Sequence, residues 1–276
     1  MQSGLGFQAM GDVNSPAIVF LHGGGVSGWM WEPVARRLAD RFYCLMPDLP
    51  EFGRSREIKP LTIRGAAGLV ADLIRAQVPG GRAAVVGVSE GAQIAVQMLA
   101  ENPGVVERAM ISSALLRPLW FSGLLSEGFI RWSFRVSVPP YRNCDAWIRL
   151  NMKYSAGIPE IYFPQFKAEF QQLTEDGFTH VMLENQKFRQ PAGLENCTSE
   201  VLVCVGRREY GAMQDSARDL LGVLPNSRGV RVDLGRKGSL AGEHNWPLTE
   251  PDLFARTAAA FLQGQALPDE LTPLEE

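Results

Sequence analysis

The sequence predicts an α/β fold: a mostly parallel central sheet with helices on both faces, plus one inserted helical cap. Three observations lead there. Short, continuous, β-branched runs recur along the chain, helical patterns alternate with them, and a long aromatic-rich stretch interrupts the alternation.

The run AIVFL at Ala17–Leu21 shows no polar alternation, as expected of a strand covered on both faces. The same signature returns at Phe42–Met46, Ala83–Val88, Ala109–Ala114 and Val201–Val205, and a strand-like VRVDL follows from Val230. Between these lie helical spacings at Trp31–Leu38, Ile63–Ile74 and Ala92–Leu99, with a further helix expected in PDLFARTAAAFL from Pro251. Such alternation implies right-handed crossovers between parallel strands, and ligands then bind beyond the carboxyl ends of the strands.

From Arg117 to Asn196 no buried-strand run occurs, yet Trp120, Phe121, Phe129, Trp132, Phe134, Trp147, Tyr162, Phe163 and Phe166 do. So many large apolar groups need something to cover, which predicts a lid over a pocket. The expected division is a core at 1–116 and 197–276 and a cap at 117–196. Trp120, Trp132, Trp147 and Trp246 are candidates for contacting substrate. Arg131, Arg135, Arg142 and Arg149 in the cap either bind a substrate carboxylate or form a solvated helix face. The Pro- and Glu-rich tail beyond Gln263 is expected to fray.

Composition bounds the function. With 276 residues, 46% hydrophobic content and a formal net charge of -3, the chain can bury a sizeable core and carries no field to gather phosphates or anionic lipid. Nucleic acid and membrane are therefore not expected partners; a small molecule is, for a monomer or homodimer. Cys44, Cys144, Cys197 and Cys204 lack metal-ligand or redox spacing, Cys44 and Cys204 fall in apolar runs, and buried, reduced thiols are expected. With neither a secretory signal nor an apolar span in the sequence, a cytoplasmic location is expected.

The chemistry centres on Gly87-Val88-Ser89-Glu90-Gly91, set between the strand Ala83–Val88 and an Ala-rich helix. G-x-S-x-G alone is a weak motif, but at a strand-to-helix junction its glycines permit a tight elbow that exposes the serine. The Glu90 N–H at the helix start is then one oxyanion donor. His22-Gly23-Gly24-Gly25 follows the first central strand and offers the second, Gly24, with Gly25 as the alternative. Taken alone, the glycines fit a flexible turn or a phosphate loop equally.

A serine hydroxyl needs a base. Of the three histidines, His22 sits in the glycine loop as a brace, His180 falls in the cap, and His244 in GEHNWP follows a strand and precedes a helix, the place for the base. Glu209, just after Val201–Val205, is the acid to orient it, with Asp215 as the substitute.

HGGG, GVSEG and GEHNWP, in that order, make the chain resemble the α/β-hydrolase superfamily from Phe7 to Leu262 outside the cap. The order Ser89, Glu209, His244 matches that family's nucleophile, acid and base. PDLPEFGRS at Pro47–Ser55 is similar to its D-x-x-G-x-G-x-S loop, but Glu51 stands where the first glycine is usual, which is expected to alter that turn. The serine elbow sets apart relatives whose elbow carries aspartate.

The resemblance implies acyl-enzyme chemistry on a carboxylic ester, lactone or thioester of a small, mainly apolar substrate, with no metal or organic cofactor. The alternatives are a C–C bond hydrolase or lyase using the same three residues, or a noncatalytic ligand-binding protein on this scaffold.

Overall fold

The apolar runs form the middle of one sheet. The structure, a computed structural model, describes residues 4–120 and 122–274; Phe121, counted above among the cap aromatics, lies outside the described residues. In chain order the core elements are β1 (Phe7–Met10), β2 (Ala17–Leu21), α1 (Glu32–Leu38), β3 (Tyr43–Pro47), α2 (Ile63–Gln77), β4 (Ala83–Val88), α3 (Glu90–Glu101) and β5 (Val106–Ser112). Four longer helices follow, α4 (Glu127–Ser137), α5 (Asp145–Asn151), α6 (Phe163–Gln172) and α7 (Glu175–Lys187), with short helical turns between them. The core resumes with β6 (Glu200–Gly206), α8 (Gly211–Val223), β7 (Ser227–Val232), α9 (Leu240–His244), α10 (Trp246–Thr249), α11 (Pro251–Leu262) and β8 (Leu271–Pro273).

Eight strands pair in the order β1-β3-β2-β4-β5-β6-β7-β8, parallel except at the two edges. Every residue of β2, β3 and β4 is buried, which is why these strands read as unbroken apolar runs. One apolar cluster packs α2, α3 and α8 on one face; another packs α1 and α11 on the other. Strand order reverses at β2, whose neighbours are β3 and β4, so the loops after β2 and β4 leave the sheet side by side, with Leu21 opposite Gly87.

Two expectations are corrected. The described part of the tail does not fray: β8 pairs antiparallel with β7, and Leu271 and Leu274 are buried. The fifth strand begins at Val106 and ends at Ser112 rather than running from Ala109 to Ala114, because Ser113 turns the backbone to φ +58°. Among the described residues no helix is long and apolar enough to cross a membrane.

Candidate active site

Ser89 stands between β4 and α3 at φ +56°, ψ −118°, a conformation costly for a residue with a Cβ. The surroundings enforce it. Ser89 N–H donates to Ser112 O (2.9 Å), and Ser89 O accepts from Gln93 N–H (3.1 Å). A Cβ on Gly87 would lie 2.3 Å from Gly91 O, and one on Gly91 would lie 2.2 Å from Leu21 O. Both glycines of the motif therefore let backbone approach backbone, where no side chain can move aside.

Glu90 opens α3, so its N–H has no partner within the helix. Beside it, at the end of β2, is the glycine loop, where Gly24 and Gly25 line a cavity of about 310 Å³ together with Ser89. His22 braces that loop, as expected. Its Nδ1–H donates to Gly23 O (2.8 Å), while Nε2 accepts from Leu49 N–H (2.9 Å). Complete burial holds its pKa below the usual histidine value, against the opposing backbone bond and Asp48, so the ring is neutral at pH 7.

The expected acid and base meet. His244 Nδ1–H donates to Glu209 Oε1 (2.5 Å), leaving Nε2 to accept a proton. Glu209 is held from its other side: Oε2 accepts from Ser113 Oγ (2.9 Å) and Gly206 N–H (2.7 Å). Asp215, the alternative acid, is instead ion-paired with Arg218 and Arg117. Ser89 and the base loop share an anchor in Ser112, whose Oγ accepts from Trp246 Nε1 (2.9 Å), two residues after His244. No hydrogen bond joins Ser89 Oγ to His244 among the described residues; in unliganded sites such bonds are often loose.

Sequence reasoning missed two supports. Ser113 buttresses the acid, and its only signal was a Ser-Ser pair at the end of an apolar strand. Glu243, fully buried, accepts from Arg208 N–H (2.6 Å) and pairs with the Arg208 guanidinium, tying the acid loop to the base helix.

From the stretch between β5 and β6, Leu173 just after α6 and Phe178, Val181 and Met182 on α7 line the same cavity as Ser89 and Phe52. The four tryptophans are corrected, since none lines this cavity. Trp120 and Trp132 are largely exposed, Trp147 Nε1 donates to Ser137 O, and Trp246 is buried against Phe254. The four arginines of the same stretch do not line this cavity either: Arg131 and Arg135 pair with Glu175, Arg149 with Glu160, and Arg142 donates to Leu173 O.

Glu51, where glycine is usual in the family's loop, takes a backbone conformation that glycine favours, with φ +70°. Its side chain reaches across to His180 Nδ1 on α7 (2.9 Å).

A parallel sheet covered on both faces, carrying a serine elbow beside a glycine loop and a Glu-His pair on the following strand ends, defines the class of this protein. The family model described as "Alpha/beta hydrolase family" matches residues 18–257, and the chain belongs to that family. It is 26% identical over 266 residues to an "AB hydrolase superfamily protein" of Gibberella zeae, covering 92% of this chain and 82% of that one. A shorter match, 34% identical over 97 residues and 35% of each chain, is to the pimeloyl-[acyl-carrier protein] methyl ester esterase of Proteus mirabilis. Among solved structures, the enol-lactonase of Burkholderia xenovorans LB400 has the same fold at 19% identity, with a TM-score of 0.73 over 94% of this chain and 96% of that chain.

Proposed function

We propose that this protein is a serine hydrolase that cleaves a carboxylic ester, lactone or thioester of a small, mainly apolar substrate through an acyl-enzyme. The observation that carries the reading is the strained Ser89 elbow opening on the same cavity as Gly24, with the Glu209–His244 pair presented from the segments that follow β6 and β7.

In this reading His244 Nε2 takes the Ser89 proton as Oγ attacks the acyl carbon, and the N–H groups of Glu90 and Gly24 hold the tetrahedral oxyanion. The leaving alcohol or thiol takes the proton from His244. Water, deprotonated by the same ring, then releases the acid and restores Ser89. Glu209 keeps the proton of the resting imidazole on Nδ1 and stabilises the imidazolium. Apolar lining from Phe52, Leu173, Phe178, Val181 and Met182, in a cavity near the lower end of the ligand-pocket range, supports a small acyl or alcohol group. Relatives named as an ester hydrolase and a lactonase agree with this class of bond. The residues between β5 and β6 serve as the cap over the site.

The test is a fluorophosphonate probe together with turnover of short p-nitrophenyl esters. The parent is expected to be labelled at Ser89 and to hydrolyse the esters, and Ser89→Ala to lose both. Full turnover by Ser89→Ala would overturn the assignment.

A further inference from the structure

Glu90 differs from the other buried acids. Glu209, Glu243 and Asp48 each accept hydrogen bonds from donors around them. Glu90 is fully buried, and neither of its carboxyl oxygens has a hydrogen-bond partner. Its position is also particular. The Oε2 atom lies 3.5 Å from where a Cβ on Gly24 would stand, so the carboxyl sits against the glycine loop that lines the cavity with Ser89. An ionised carboxylate with no donor at all in such a place is costly, and a protonated one much less so.

The first turn of a helix would ordinarily favour the charged form. Here burial opposes it most strongly. Two further acids push the same way, Glu184 on α7 and Glu51 in the loop after β3, the latter itself paired with His180 on α7. The Glu90 carboxyl is pushed up to about 8, so it keeps its proton at neutral pH.

We propose that the Glu90 side chain is a proton-operated control on the oxyanion site. Uncharged, it leaves the amides of Glu90 and Gly24 free to hold a negative oxygen; once its proton passes to solvent, a like charge beside those amides opposes the oxyanion and turnover falls. This rests on the oxyanion role proposed above for the Glu90 amide. The side chain touches no reacting atom and acts through the field at the site, which in a buried setting is weakly screened.

The experiment is the pH dependence of kcat for ester hydrolysis by the parent, Glu90→Gln and Glu51→Gln, with circular dichroism at each pH to keep unfolding apart. The parent is expected to lose tenfold or more of its kcat as pH rises through about 8. In Glu90→Gln the alkaline limb should vanish relative to that variant's own maximum, and in Glu51→Gln its midpoint should move to lower pH because one acidic neighbour is gone. If Glu90→Gln does not fold, the shift in Glu51→Gln carries the test.

Unfolding supplies a readout independent of activity. A carboxyl whose folded pKa is raised stabilises fully below the unfolded value of 4.5, and that contribution is lost as pH rises through about 8. Glu90→Gln should therefore gain on the parent by up to about tenfold in folding equilibrium per pH unit across this window. An alkaline limb unchanged in Glu90→Gln, with turnover still dependent on Ser89, overturns this inference alone. Turnover that does not depend on Ser89 overturns the reading of the site instead.

Discussion

Replacing Glu209 by glutamine changes almost nothing in shape, and the surrounding donors dictate what it does to the imidazole. The carboxylate accepts three hydrogen bonds: His244 Nδ1–H at Oε1 (2.5 Å), and Ser113 Oγ–H (2.9 Å) with Gly206 N–H (2.7 Å) at Oε2. Glutamine has one accepting oxygen and one nitrogen that only donates. The Gly206 N–H cannot turn away, so the oxygen must take the Oε2 position and the nitrogen must face His244. Nδ1 then becomes the acceptor, and the ring proton moves to Nε2, the atom that takes the Ser89 proton in the proposed mechanism. The wrong tautomer in such a triad lowers kcat about ten-thousandfold, which at 1.36 kcal/mol per factor of ten is about 5 kcal/mol of transition-state stabilisation. Steady-state kcat on a short p-nitrophenyl ester near neutral pH, with an unfolding curve to show that the variant is folded, checks this. A folded Glu209→Gln within tenfold of the parent would refute the tautomer argument.

Other outcomes follow from the same geometry. Gly91→Ala should destabilise by about 2 kcal/mol or more, because overpacking against rigid groups commonly costs 1–3 kcal/mol and the new Cβ would meet Leu21 O at 2.2 Å. Gly68→Ala, inside α2 with nothing within 4 Å of the new Cβ, should instead stabilise by about 0.5–1 kcal/mol; urea unfolding of both variants tests the pair, and equal effects would refute the packing argument. Asp215→Asn should keep kcat within about threefold of the parent, since its carboxylate pairs with arginines rather than His244, and exposed pairs of this kind contribute little. A loss as large as that of Glu209→Gln would move the acid to Asp215.

How much could be seen in advance depended on whether a feature is local. The strands at Ala17–Leu21 and Ala83–Val88 appear at the expected bounds, since burial on both faces leaves an unbroken apolar signature in the sequence itself. The edge strands β1 and β8 escaped because pairing on one side only leaves their residues part polar. Glu209 and His244 were singled out by their places after strands and do pair with each other, whereas Ser113 and Glu243 were not singled out, because what they do consists of contacts between distant segments. The tryptophans misled for a physical reason: a large apolar ring signals burial somewhere, and Trp246 fills the core under α11 as readily as a ring would fill a pocket.

The sequence by itself determined the layered α/β class and the serine elbow, and it pointed to Glu209 and His244 as a pair, since each is written in a local pattern of apolar runs, glycines and turns. Only the tertiary structure decided which side chains of the insertion face Ser89, that Glu51 reaches His180, and that Glu90 is buried with no hydrogen-bond partner. Those facts depend on how α6 and α7 come down on the strand ends, and packing between segments far apart in the chain leaves no period or motif to read.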